Sequence, residues 1–362
     1  MNNVRESLLT ELHNHHCPEG PATKQYFSAA DTTIENYALK MNGGSTMGNM
    51  TTFEWNKTHH DILRITSIVT KPSHDGKPIH TIRLAVWDMT YTGIADSSCI
   101  IDQKALKHMG VVGVIGHHYW ENGEAFIYLT HLGKPNMEKF MSLPCLYTLP
   151  KSICPIPDKA AQLISIINSM KTEPLKCMIK LILERSDRLE AFMTLPASQK
   201  DHHAYPGGLL EHSLQVANNL VAMIEMNEPN LPIEMKEAGF VAGLFHDIGK
   251  LKVYNLNGYK QPVIGLIDHD QLTLEICANG LAYLDRTMPD LAMLLRHIWT
   301  CASPGARFGI KAKTPLARYL KDADGQSAMS HNHQRVSRHY QLDGFRSINN
   351  QRFWMPTLEH QA

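Results

Sequence analysis

The hydrophobic period changes once along this chain of 362 residues, and that change decides what it can fold into. Between residues 60 and 132 apolar residues alternate with polar ones. "IHTIRLAVWD" puts Ile82, Leu84 and Val86 on one face, the repeat of a half-buried strand. From Asp158 onward, in "AAQLISIINSM" and "LKCMIKLILERSDRLEAFM", apolar residues recur every three or four positions, the repeat of an amphipathic helix. One segment cannot satisfy both periods, so the sequence predicts a β unit followed by an α unit.

The β unit spans 59–135. "ILRITSIVTKP", "IHTIRLAVWD" and "YTGIADSSCII" are three candidate strands, the first two joined by the turn cluster "SHDGKP", where Asp75-Gly76 suits a hairpin. "DQKALKHMG" predicts a short helix ending at Gly110. "VVGVIGHHYW" and "AFIYLTHL" close a second hairpin through "ENGE". Three strands, a helix and two strands is the order of an OB-like β-barrel, a fold that presents aromatic and basic side chains to single-stranded nucleic acid. Trp87, Tyr119, Trp120, Phe126 and Tyr128 are the aromatic candidates, with Lys71, Lys77 and Arg83 nearby. Several of them must fill the barrel, so none is singled out as a base stacker.

Residues 136–157 read as a proline-rich connector, and 158–330 as an all-α bundle. Residues 1–58, with the glycine-rich stretch "MNGGSTMGNM" and a short amphipathic segment at Arg5–His13, read as a poorly ordered extension. Residues 331–362 interleave arginine with aromatics. That tail is either loosely docked or a surface for nucleic acid.

Hydrophobic residues make up 43% of the chain and charged ones 19%, ample for a core. No apolar run reaches the roughly 18 residues of a membrane span, and the N-terminal residues carry no apolar leader pattern. The 7 cysteines are dispersed without a C-x-x-C pair. This argues against a zinc ribbon and for reduced thiols in the cytoplasm. A formal net charge of +0 gives no global sign of a nucleic-acid partner, although a local basic groove remains open. The 21 histidines invite a search for metal ligands.

That search ends at four stretches: "HHAYPGGLLEHS" with His202, His203 and His212; "FVAGLFHDIGK" with His246 and Asp247; "LIDHDQ" with His269; and "LKDADGQSA" with Asp324. Val241, Leu244, Phe245 and Ile248 place the His246–Asp247 pair in an apolar frame. Neighbouring helix residues diverge by about 100°, so the pair cannot both serve an ordinary core. A buried carboxylate is costly unless paired or bound to a cation. A mixed imidazole–carboxylate set suits Mn, Fe, Zn or Co better than Ca. Gly249 is expected to end the helix. Lys250 either holds a phosphate oxygen or is an ordinary cation at a helix C-terminus. Pro206–Gly208 is either a close backbone approach or the turn into the helix.

The spaced H…HD…D set on this frame resembles the HD superfamily of metal-dependent phosphohydrolases. "LPASQKDHHAYPGGLLEHSLQVA" and "VAGLFHDIGKL" are similar to the YhaM-type exoribonucleases, which also place an OB-fold before the HD domain. They are similar as well to the HD-type domain of MobH-class, TraI-like conjugative relaxases. The resemblance implies metal ligands at His212, His246, Asp247 and Asp324, with His269 and His297 as further ligands. It implies catalytic roles for Asp247, Lys250 and His203, with His202 and His203 either touching phosphate or capping the helix. One or two divalent ions are implied, Mn foremost and Fe, Co, Zn or Mg as alternatives. The YhaM-type pattern carries a His-His pair shortly after the position of His297, where this chain has Cys301 and Ala302. The expected function is a 3′–5′ exonuclease on single-stranded RNA or DNA that forms homo-oligomers. The alternatives are a relaxase-like nuclease of a mobile element and a nucleic-acid-binding module with a degenerate HD site.

Overall fold

The computed structural model describes residues 57–87, 89–121, 124–135, 146, 148–303, 305–337, 344–348 and 351–355. Nearly all of the expected 1–58 extension, Arg5–His13 included, lies outside them. Six strands come first: β1 (Lys57–Pro72), β2 (Pro78–Val86), β3 (Met89–Ala95), the short β4 (Ile100–Ile101), β5 (Val111–Glu121) and β6 (Glu124–Gly133). The long β1 pairs antiparallel with both β2 and β5, its register slipping between Ile65 and Ser67. A bulge there lets one strand bend and serve two neighbours. β3 then pairs in parallel with β6, and β6 pairs with β5. The result is a closed five-stranded, OB-like barrel filled by Leu63, Ile65, Ile82, Leu84, Val112, Val114, Ile127 and Leu129.

The short helix expected over "DQKALKHMG" is absent. Residues 103–109 form successive turns instead. The cause is tertiary. Met109 N–H donates to Ile65 O at 2.7 Å, and Gly110 O accepts from Ile65 N–H at 2.9 Å. These bonds to β1 take the backbone groups a helix end would use.

Among the described residues nine helices follow: α1 (Pro157–Ser169), α2 (Glu173–Leu183), α3 (Ser186–Thr194), α4 (Gly208–Asn227), α5 (Ile233–Phe245), α6 (Lys250–Val253), α7 (His269–Thr287), α8 (Pro289–Thr300) and α9 (Pro315–Ser337). The stretch "LKCMIKLILERSDRLEAFM", which reads as continuous, breaks between α2 and α3 at Glu184 and Arg185. α9 passes through residue 330, where polarity suggested the bundle would end. An antiparallel hairpin of β7 (Gly344–Ile348) and β8 (Gln351–Met355) lies within the expected tail. Among the described residues no helix is long and apolar enough to cross a membrane.

The proline-rich connector is packed where it is described. Leu146 and Leu149 join the helical core. Arg64, fully buried on β1, donates to Met109 O at 2.7 Å and to Thr148 O and Oγ1 at 3.2 Å each. Lys151 N–H donates to Trp87 O at 2.6 Å, and Trp87 packs against the helical core. The barrel is therefore fastened to the bundle by buried polar contacts. Arg64→Met leaves those acceptors without their donor, so it should destabilise the protein by roughly 2–4 kcal/mol. Urea unfolding checks this, with Arg83→Met on the exposed face of β2 expected to change stability by less than about 0.5 kcal/mol.

Candidate metal centre

α4 enters the bundle through a turn at Gly207, whose φ of 80° is left-handed. This is the backbone state glycine takes most easily. His212 then stands one turn into the helix, among buried Leu209, Leu210, Leu214 and Val216. α5 ends at Phe245, and His246–Gly249 form a turn before α6. The expectation that Gly249 ends the helix is therefore corrected. Gly249 has φ −55°, and its role is steric. A Cβ there would lie 2.0 Å from His269 O and 2.9 Å from Thr273 N. The absent side chain lets the first turn of α7 close on the His246–Asp247 turn. Thr273 Oγ1 seals this junction, donating to His246 O at 3.0 Å and accepting from Gly249 N–H at 3.1 Å.

Four side chains from α4, the 246–249 turn and α9 converge. His212 Nε2 is 3.3 Å from Asp247 Oδ2 and 3.2 Å from Asp324 Oδ1. His246 Nε2 is 3.4 Å and 3.6 Å from the same two oxygens. The far nitrogens are already engaged. His246 Nδ1–H donates to Gly243 O at 2.8 Å. His212 Nδ1–H donates at 3.0 Å to Ser327 Oγ, which donates to Gln215 Oε1 at 2.8 Å. Both Nε2 atoms are buried and without a hydrogen-bond partner. They carry lone pairs, and they face carboxylate oxygens.

Such a set requires positive charge at its centre. In the metal-free protein protons supply part of it. Burial disfavours the His246 imidazolium, but Asp247 and Asp324 outweigh it and its pKa is raised. Burial likewise opposes the charge on Asp247, but Lys250, His246, His212 and His269 hold its pKa well below the ordinary value. Asp324 is lowered by His212 and His246 against the same burial cost. A divalent cation meets the requirement better, since two imidazoles and two carboxylates are the donors it takes. Among the described residues, His212, His246 and Asp247 offer ligand atoms close enough together for one ion.

Asp247 faces two ways. Its Oδ1 lies 3.1 Å from His269 Nε2, while its Oδ2 meets Lys250 Nζ at 2.5 Å. His269 is a half-exposed neighbour of the centre, flanked by Asp268 and Asp270. His297 is not brought to this group. It lies on α8 and its Nε2 accepts from Lys313 N–H at 2.8 Å, so its expected place as a ligand is not met. His203 stands one layer behind, its ring 5.4 Å from that of His212. Its Nδ1–H donates at 2.9 Å to the Tyr205 hydroxyl, which donates to Glu211 at 2.5 Å. Burial pushes the pKa of His203 down to about 3 and that of His202 to about 4, so both are neutral. Neither caps α4, whose first residue has no side-chain cap.

Sequence reasoning missed Ser327, Gln215, Tyr205 and Thr273. The first two were within reach: Gln215 follows His212 and Ser327 follows Asp324 by one turn, hence on the same helix face.

The HD domain family matches residues 209–329, which contain all four converging residues. A TraI-type family described as "Putative helicase" matches residues 158–256. A dihydroneopterin 2′,3′-cyclic phosphate phosphodiesterase of Methanocaldococcus jannaschii is 36% identical over 88 residues, 22% of this chain and 33% of that protein. The chain thus spans about a third of that curated relative. No solved structure gives a significant match. Residues 209–329 are thus similar to the HD domain family, and residues 158–256 to the TraI-type family.

Two outcomes follow. Ser327→Ala removes the acceptor that fixes His212 in its Nδ1–H form, and should weaken Mn²⁺ binding roughly tenfold to a hundredfold by calorimetry. In metal-free protein, His246 and His269 are raised above 6.5. Their stabilising contribution is complete below that value and lost as pH rises through the folded pKa. Asp247 and Asp324 are lowered from 3.8, so theirs is present above 3.8 and lost as pH falls through the folded pKa. Urea midpoints of the metal-free protein should therefore decline as pH rises above 6.5, and saturating Mn²⁺ should remove the decline.

Proposed function

We propose that this protein is a metal-dependent phosphodiesterase acting as a 3′–5′ exonuclease on single-stranded RNA or DNA. The observation that carries this reading is the pair of orphaned, buried imidazole nitrogens aimed, with two carboxylates, at one point. His212, His246, Asp247 and Asp324 would hold the ion, Mn foremost, and His269 beside Asp247 is the candidate ligand for a second. When bound, such an ion supplies Lewis-acid charge for a phosphodiester and acidifies water. The residues divide the rest of the work. Asp247 orients the attacking water through the oxygen that faces His269. Lys250, which here bonds Asp247, would hold a phosphate oxygen as a point charge. Neutral His202 and His203 wall the centre and keep His212 in place.

The barrel adds a surface for the strand, with Lys71, Lys77 and Arg83 exposed on β1, the turn after it, and β2. Two aromatic candidates are consumed by the fold, since Trp87 packs on the bundle and Tyr128 is buried with its hydroxyl bonded to Asp96. The side chains of Tyr119 and Trp120 lie outside the described ones. We further propose assembly into homo-oligomers and, from the dispersed cysteines, a reducing cytoplasmic setting. The TraI-type match supports a second reading, a mobile-element nuclease on DNA. The intact donor set weighs against a degenerate binding module.

A panel of substrates tests this. Purified protein with Mn²⁺ should release mononucleotides from the 3′ end of single-stranded oligomers and spare duplexes. His246→Ala with Asp247→Ala should abolish release and retain strand binding. Oligomers left intact while free nucleotides or cyclic phosphates are cleaved would sink the exonuclease reading. Nicking of supercoiled DNA at one site would select the second.

A further inference from the structure

The loop Gly305–Lys313 takes no part in the centre described above. Residues 301–313 include Arg307, Lys311 and Lys313 and no acidic residue, in a chain whose formal net charge is +0. Phe308 is 78% exposed and Ile310 68%. Large apolar side chains held in water on one short loop mark a binding surface. The Arg307 guanidinium lies 5.3 Å from the centroid of the Phe308 ring, a cation–π distance.

The loop is held in shape before anything binds. Ala302 bridges to Lys311, and Ala302 N–H donates to Ile310 O at 2.8 Å. Lys311 Nζ donates to Ala306 O, and His297 Nε2 takes Lys313 N–H. The site's open side is nearby. His212 and His246 form a buried floor, whereas Asp324 and His269 are partly exposed. Asp270 Oδ1 lies 3.4 Å from His269 Nε2, Lys321 Nζ lies 3.8 Å from Asp270 Oδ2, and Cys301 at the loop's base feels both of those charges.

We propose that Gly305–Lys313 is a grip for single-stranded nucleic acid. Phe308 stacks on a base, and Arg307, Lys311 and Lys313 neutralise neighbouring phosphates. One open ring with cations on both sides of it in sequence fits the base-and-phosphate repeat of a single strand. The inference rests on the nuclease reading, and names where that substrate is held.

The experiment measures binding of the full chain to a labelled single-stranded oligonucleotide in EDTA, which prevents cleavage. Phe308→Ala should weaken binding roughly tenfold, with Phe308→Tyr close to wild type. Arg307→Ala with Lys313→Ala should flatten the dependence of log affinity on log salt by about 0.7 per lost phosphate contact. Mn²⁺-dependent hydrolysis of bis(p-nitrophenyl) phosphate should be unchanged in every variant, because the small diester reaches the centre without the loop. Affinity within about twofold of wild type for Phe308→Ala overturns the grip. So does a change of oligomeric state in that variant by sedimentation, or loop-dependent binding to anionic vesicles that matches the oligonucleotide. Failure of the wild type to hydrolyse the small diester, with loop-dependent strand binding intact, would instead remove the nuclease reading and leave the grip standing.

Discussion

Two carboxylates and two imidazoles can share a closed space only if positive charge lies among them. Asp247 and Asp324 meet His212 and His246 within 3.2 to 3.6 Å. The outer nitrogens of both rings are spent on Gly243 O and Ser327 Oγ. That leaves each inner nitrogen as a lone pair facing an anion, a repulsion no rotamer relieves while the outer bonds hold. Protons answer it partly, by raising His246, and Lys250 answers it from the side. A cation between the donors answers it fully. The bundle around the site therefore works as a template that holds four groups in an arrangement unfavourable without a guest.

Holding them takes backbone proximity as much as side chains. Asp247 can face two ways because the first turn of α7 presses against its turn, and Gly249 is what permits that approach. Thr273 then ties the two backbones together. On the other side, Trp299 Nε1–H donates to Ala242 O at 3.0 Å and fixes the end of α5. The layer of His203, Tyr205 and Glu211 does the same behind His212. The Thr273 and Trp299 contacts are buried, where close packing resists small shifts.

The amino-acid sequence disclosed the parts of this structure that follow from local periodicity. Alternation in "IHTIRLAVWD" gave β2 its buried Ile82, Leu84 and Val86, and helical spacing gave most of the bundle. Of the centre, His212, His246, Asp247 and Asp324 were legible because polar groups in apolar helices need a reason, and His269 through the resemblance. What stayed hidden depends on distant partners. The turns at 103–109 replace a helix because Ile65 captures the backbone of Met109 and Gly110. Gly249 reads as a helix stop until α7 is seen against it. His297 looked equivalent to the other histidines, yet Lys313 N–H occupies its nitrogen. No local rule distinguishes these cases, since each is decided by a residue at least sixteen positions away.

The joint between barrel and bundle shows the same dependence on distant contacts, with a functional consequence. Arg64 is a barrel residue, but its guanidinium is spent on Thr148 in the connector and on Met109. Trp87, at the end of β2, gives its ring to the helical core and its carbonyl to Lys151. A flexible tether would let the barrel wander relative to the bundle, and the effective concentration of either unit at the other would fall with tether length. Buried polar contacts forbid that wandering, because separating the two units would strand their donors and acceptors. The proline-rich segment that reads as a linker is in this region a packed wedge. It sets the barrel's exposed basic face at a fixed position relative to the centre.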